Sequence, residues 1–146
     1  MTRGRVIGLM AALVALAAAT AATAAAPTSV RLSGHTAGDN DSIVRVSTVP
    51  NRDGETKVVK RFRFKKVLAD CDGTEQRISL RLTGRIPVTD RLYKRSFGDD
   101  ATGIVKVSGR VSRDGNRTSG VIRSSAVAID GLGFCTLPPT GFSARA

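Results

Sequence analysis

Tryptophan is absent from these 146 residues, and the other aromatic side chains amount to five Phe and one Tyr. Clefts that hold sugars and platforms that stack bare nucleic-acid bases are built from exposed aromatic faces, so neither fits this composition. Histidine occurs once, at His35, and cysteine twice, at Cys71 and Cys135. A zinc site takes four protein ligands, or three and a water, and His35 lies in a polar stretch far from both cysteines, so no metal or cofactor is expected. A general base must be held within hydrogen-bond reach of its partner. His35 sits among Gly34, Thr36, Gly38 and Asp39, where no rigid support is expected. No catalytic residue is assigned, and the chain reads as a non-enzyme.

Long apolar runs are also scarce. The one candidate, Val6 to Ala19, follows Arg3 and Arg5 and precedes the small residues Thr20 to Ala26. That order is the grammar of a secretory signal, and the run is shorter than the roughly 20 residues that span a bilayer. We expect residues 1–24 to be a cleaved signal peptide, with Ala22-Thr23-Ala24 before the cut and no transmembrane span in the mature protein. The expected location is secreted and extracellular, with association to the cell envelope as an option.

Removing residues 1–24 takes away Arg3 and Arg5 and no acid, so a formal charge of +11 becomes +9. The mature chain is one domain's worth of sequence with an aliphatic core, read as a monomer. An oxidising compartment permits a disulfide, and Cys71 with Cys135 is the single possible pairing. Closing so long a loop contributes roughly 4 kcal/mol on the chain-entropy account.

Along the mature chain, residues 25–41 are small and polar and read as a flexible arm, with a short strand at Val30–Leu32. A single β domain then covers 42–146. Its alternating runs are Ser42–Val49, Thr56–Leu68, Arg77–Ile86, Ile104–Ser112 and Ser119–Ile129, and period two means strands. Asp53-Gly54, Asp72-Gly73, Asp114-Gly115 and Asp130-Gly131 punctuate them as tight turns. The expected fold is all-β: an antiparallel sandwich or meander with one disulfide. In Arg77–Ile86 the residues Ile78, Leu80, Leu82 and Ile86 share the core side. Thr56–Leu68 is less regular. Val58, Phe62, Phe64 and Leu68 align, but Lys60 and Lys66 fall on the same side, which a β-bulge or snorkelling lysine stems would explain. The stretch around Tyr93 reads as a loop or edge strand.

These landmarks come in a particular order: Cys71 followed by Asp72-Gly73, a glycine-punctuated hairpin from Gly103 to Gly120, Cys135, and the closing Gly141-Phe142-Ser143-Ala144-Arg145. The pattern resembles a group of uncharacterised small secreted proteins of high-GC bacteria over residues 55–146. In that group the final-strand aromatic is Trp, where Phe142 stands here. The resemblance implies a β-sandwich and a disulfide, and no activity.

Leu137-Pro138-Pro139-Thr140-Gly141 matches the sorting signal that sortases cleave, but such signals continue into an apolar stretch and a basic tail. Here it reads as a proline-stiffened loop entering the last strand. The carboxylates Asp39/Asp41, Asp70/Asp72 with Glu75, and Asp99/Asp100 read as turn chemistry rather than as a catalytic or calcium-binding pair. What remains is the basic surface. If Thr56–Leu68 and Arg77–Ile86 are neighbours, Arg61, Arg63 and Lys65 lie beside Arg77, Arg81 and Arg85, and like charges opposed across strands destabilise a sheet. An anionic envelope polymer would compensate them, whereas nucleic acid is disfavoured because Phe62 and Phe64 should face the core. The rival readings are an inhibitor or partner-binding module using Leu132-Gly133-Phe134 or Pro138-Pro139, and a small hydrolase with two convergent carboxylates.

Overall fold

The computed structural model describes residues 28–146; the expected signal peptide and the first residues of the expected arm lie outside them. Ten strands follow in order: β1 (Val30–Thr36), β2 (Asp39–Pro50), β3 (Thr56–Cys71), β4 (Thr74–Pro87), β5 (Leu92–Asp99), β6 (Gly103–Val111), β7 (Arg117–Ser124), β8 (Val127–Ile129), β9 (Gly133–Thr136) and β10 (Thr140–Arg145). No helix among the described residues is long and apolar enough to cross a membrane.

All ten strands belong to one hydrogen-bonded antiparallel sheet rather than to two packed sheets. Eight of them run β4-β3-β2-β1-β10-β7-β6-β5, and the β8–β9 hairpin hangs from the end of β3. The sheet curls until its outer strands β4 and β5 meet at a seam. There Arg95 Nη1 donates to the Arg85 carbonyl at 2.8 Å, and the Arg95 guanidinium lies 5.2 Å from the Phe97 ring centroid. Gly84 leaves room for it, since a Cβ there would stand 3.0 Å from Arg95 Nη1. Period-two alternation therefore sends one set of side chains into an enclosed core and the other to the outside.

Four aromatics hold the centre of that core. Phe62 and Phe64 of β3 stack at 5.8 Å, and both meet Phe142 of β10 edge-on, at 5.9 and 5.4 Å. Tyr93 of β5 lies 5.8 Å from Phe62. Register places Tyr93 opposite Gly109, Gly109 opposite Gly120, and Gly120 opposite Phe142. A Cβ on Gly109 would collide with the Tyr93 hydroxyl, and one on Gly120 would stand 2.9 Å from Phe142 Cζ. The two rings thus fold down over a glycine pair, as aromatic side chains do where a sheet bends sharply.

Three expectations need correction. The short strand expected at Val30–Leu32 is present but runs on to Thr36 as β1, and β2 begins at Asp39, so most of the described part of the expected arm is strand. The inward positions there are Leu32, Gly34 and Thr36, followed by Ser42 in β2, so burial here carries little apolar signal. The polar ones satisfy each other. Ser42 Oγ accepts from the Thr36 amide and hydroxyl and donates to the Asp39 carbonyl, each at 2.8 Å. In β3 the inward residues are Val59, Phe62, Phe64, Val67, Ala69 and Cys71, so Val58 and Leu68 are not the core positions expected. Register shifts at Lys60 and at Lys65–Lys66 change the phase twice and turn both lysines outward, which selects the bulge. Lys66 adopts φ 56° within it. Finally, Ser119–Ile129 divides into β7 and β8. Of the two readings of the Tyr93 stretch the edge strand is the one found: it is β5, at the seam, with Tyr93 buried.

The Asp-Gly turns form as expected. Asp72 (φ 52°) and Gly73 (φ 82°) close the β3–β4 hairpin with both central residues left-handed, which Gly adopts without strain and Asp tolerates. Just before the turn, Cys71 stands directly opposite Cys135 of β9, their Cα atoms 4.0 Å apart, and the two form a buried disulfide. Ladder pairing of β3 with β9 is limited to Asp70↔Thr136 and Cys71↔Cys135, with the Asp72 amide donating to the Phe134 carbonyl at 3.1 Å just beyond, so the covalent bond reinforces a short attachment. Replacing both cysteines by serine should cost about 2–4 kcal/mol in denaturant titration. Hydrogen exchange should show lost protection across 127–136 while amides of β2 and β3 stay protected. Uniform loss across the sheet would contradict the local role.

Burial pushes the Tyr93 phenol up to about 12, against a smaller opposing effect of its 2.8 Å bond to Thr118 Oγ1. Thr118 in turn donates to the Arg110 carbonyl at 3.0 Å, which leaves Tyr93 as the donor between them. Because the folded value lies above the unfolded one, this stabilisation is complete below about pH 10 and decays as pH rises towards 12. Relative to Tyr93→Phe, the wild type should lose about 2 kcal/mol between pH 9 and pH 12, read from urea midpoints. Parallel pH profiles for the two proteins would remove Tyr93 as the cause.

Candidate functional site, a cationic outer face

Acids and bases are sorted by position along the strands. All twelve carboxylates, from Asp39 to Asp130, lie in turns or within two residues of a strand end. Turn geometry explains this, because a short carboxylate can accept from the amides that a reversing chain exposes. Asp99 Oδ1 accepts from the amides of Ala101 and Thr102 and from the Thr102 hydroxyl, and the Thr102 amide bond is the main cause of its lowered pKa. Asp114 is lowered chiefly by the Ser112 hydroxyl, and Asp39 chiefly by hydrogen bonding from Arg77. These groups are held ionised, the opposite of a carboxyl poised to give up a proton in catalysis. No cluster of three or more His, Cys, Asp or Glu suited to a metal occurs among the described residues.

The mid-strand outer face that remains is cationic. The neighbouring strands β2, β3 and β4 set Arg45 opposite Arg63 and Arg63 opposite Arg81. A parallel row, one step along, reads Arg31, Ser47, Arg61 and Thr83. The Lys60 bulge adds a further cation, and Arg31, Lys60, Arg61, Arg63 and Arg81 line one shallow groove. Arg45 and Arg81 are exposed and Arg63 is half-buried. Among the described residues, ion pairs are made by Arg77 with Asp39 at 3.0 Å and with Asp41 at 3.7 Å, and by no arginine of these rows.

Compared with known proteins, the chain matches no family model, no curated protein and no solved structure. The site rests on its own geometry.

Of the six cations singled out in the sequence, three come together here: Arg61, Arg63 and Arg81. Arg77 does not join them. Besides its acidic partners, it donates at 2.7 Å to the Lys66 carbonyl, which the bulge has turned outward, and so ties β4 to the β1–β2 hairpin. Lys65 lies in the bulge, opposite Ile43 of β2 and out of register with β4. Arg85 sits at the seam, where its carbonyl receives Arg95. Arg31 and Arg45 were missed because Arg31 falls in the stretch read as an arm and no outward face was assigned to Ser42–Val49.

Other sequence features fall outside this face. His35 is an exposed residue of β1, with Nδ1 2.5 Å from the Ser42 carbonyl. Thr140 and Gly141 lie within β10, paired with Ile122 and Val121 of β7, and the Gly141 carbonyl accepts from Ala37 at 2.8 Å. The Thr-Gly bond of the sorting-like motif is therefore held inside the sheet. Phe134, in contrast, is 56% exposed on the disulfide-anchored hairpin.

Three guanidinium groups opposed across adjacent strands repel one another, and Arg63 takes the largest share. Arg63→Gln should raise the stability of the free protein by about 0.5 kcal/mol at low ionic strength. The gain should vanish near 0.5 M salt, where the Debye length falls to about 4 Å. Destabilisation at low salt, seen in thermal melts, would mean that Arg63 is held favourably in the free protein.

Proposed function

We propose that this protein is a secreted, monomeric, non-catalytic domain that binds an anionic polymer of the cell envelope through the outer face of β1–β4. The observation that carries the reading is the Arg45–Arg63–Arg81 column, three like charges in direct register with no acid beside them. A free sheet gains nothing from that arrangement, but a phosphate or carboxylate chain laid over it would meet planar donors suited to two-point hydrogen bonding. The net positive charge would also steer such a polymer towards the protein. Base-stacking recognition of single-stranded nucleic acid has no support here, because Phe62 and Phe64 point into the core.

A second reading has one observation in its favour. Phe134 stands exposed on a hairpin anchored by Cys71–Cys135, and a rigidly held aromatic is the type of anchor that protein interfaces use. It predicts protein partners rather than polymers, and Phe134→Ala would abolish it.

The deciding measurement is binding of the mature protein to envelope polysaccharides, anionic vesicles and DNA at about 50 and 300 mM salt, beside an Arg45/Arg63/Arg81 triple-alanine variant. Salt-sensitive binding to an envelope polymer, lost in the variant, is the expected result. Equal weak binding to every polyanion, or binding unchanged in the variant, would reject the proposal.

A further inference from the structure

The arginine column does not stop at β2. Register continues it from Arg45 to Ser33 of β1, from Ser33 to Arg145 of β10, and from Arg145 to Arg117 of β7. All six side chains are on the outer face, and Arg117 and Arg145 are exposed. Arg81, Arg63, Arg45, Arg145 and Arg117 therefore stand in single file across six adjacent strands, with Ser33 the one uncharged member. At about 4.8 Å per strand the file is roughly 24 Å long. It runs across the strands, and the strands curl round a core, so the file follows the outer curvature of the molecule.

Resting on the binding reading above, we infer that the ligand is a flexible linear polyanion that crosses the strands and wraps the sheet along this file. A flat bilayer would reach part of a curved row, and a DNA duplex, stiff over about 150 base pairs, does not follow a curve this tight. A flexible chain carrying phosphate or carboxylate groups can meet each guanidinium in turn. Ser33, a neutral donor and acceptor, leaves a gap in the charge between Arg45 and Arg145. The file thus has a three-cation segment on β2–β4 and a two-cation segment on β7 and β10. A short oligomer would occupy the first segment; a long one would bridge both, and the second contact would act at the high effective concentration that tethering gives.

The test uses the folded mature protein with polyphosphates of about 4 and about 20 units, the longer one exceeding the roughly 24 Å file, and with polygalacturonates of matched lengths to separate phosphate from carboxylate recognition. Dissociation constants are measured for wild type, Arg63→Ala and Arg117→Ala/Arg145→Ala. In at least one polymer series the long chain should bind more tightly than the short. The Arg117/Arg145 variant should weaken long-chain binding roughly five- to tenfold and leave short-chain binding unchanged, while Arg63→Ala weakens both. Unchanged short-chain binding also serves as the check that the variant is folded. If Arg63→Ala weakens binding but the Arg117/Arg145 variant binds long chains like wild type, the file is wrong and the β1–β4 site stands. If Arg63→Ala has no effect in either series, the binding reading itself falls. Equal affinity for duplex DNA, with the same loss in the Arg117/Arg145 variant, would overturn the requirement for a flexible chain.

Discussion

The packing of Tyr93 and Phe142 onto the facing glycines Gly109 and Gly120 is the contact on which this architecture turns. A flat sheet has two faces, and a chain with six aromatic residues could not cover both. By removing side chains where β6 meets β7 and filling the space with rings from β5 and β10, the sheet bends enough to cover its own inner face. Phe62 and Phe64 then reach Phe142 and Tyr93 across the interior, and the aliphatic residues fill the rest. Packing across such an interior is worth more than area alone, because edge-on ring pairs add about 0.5–1.5 kcal/mol each.

Curling also sets what the outside can be. Once the inner face is closed, every outward position is free of packing duties and is constrained by solubility and by cross-strand neighbours. Acids are drawn to the turns by the amides exposed there, which removes them from the mid-strand positions where they would have paired with the arginines. The result is a face whose charges are held apart from their natural counterions by the demands of the turns. On the proposed reading such a face trades the stability of the free protein for affinity, and the trade is largest at Arg63, between two like neighbours.

The sequence was informative where burial coincided with apolar character. Ile78, Leu82 and Ile86 of β4 lie buried as expected, and in the alternating run Ile104–Ser112 so do Val105, Val107 and Val111 of β6 on one shared face. The Asp-Gly turns and the Cys71–Cys135 bond were equally legible, the first from backbone preference and the second from having one possible partner. Beyond Val30–Leu32, β1 was hidden because Gly34 and Thr36 face inward, and their suitability depends on the Ser143 carbonyl pressing against Gly34 and on Ser42 receiving Thr36. Neither partner is local in sequence. In β3 the double change of phase at Lys60 and Lys65–Lys66 defeats any fixed period. The candidate site was half legible for a related reason: Arg61 and Arg63 lie between the two phase changes, where they still alternate with Phe62 and Phe64, and Arg81 sits on a strand that alternates around it, whereas Arg31, Arg45, Arg117 and Arg145 acquire meaning only through register.

The position of β10 between β1 and β7 has a kinetic consequence. Strands β1–β4 and β5–β7 are each built from successive hairpins, whose contacts are local and whose formation is fast. Neither group has a neighbour on its inner flank until β10 arrives, and β10 joins Ser33 to Arg145, near opposite ends of the described chain. Its insertion is thus a slow, late step with a large loop-closure cost. Two open sheet edges persist until then, and both are templates for the wrong partner. The arginine file is completed by the same event, so recognition across all six strands would report that the last strand has docked.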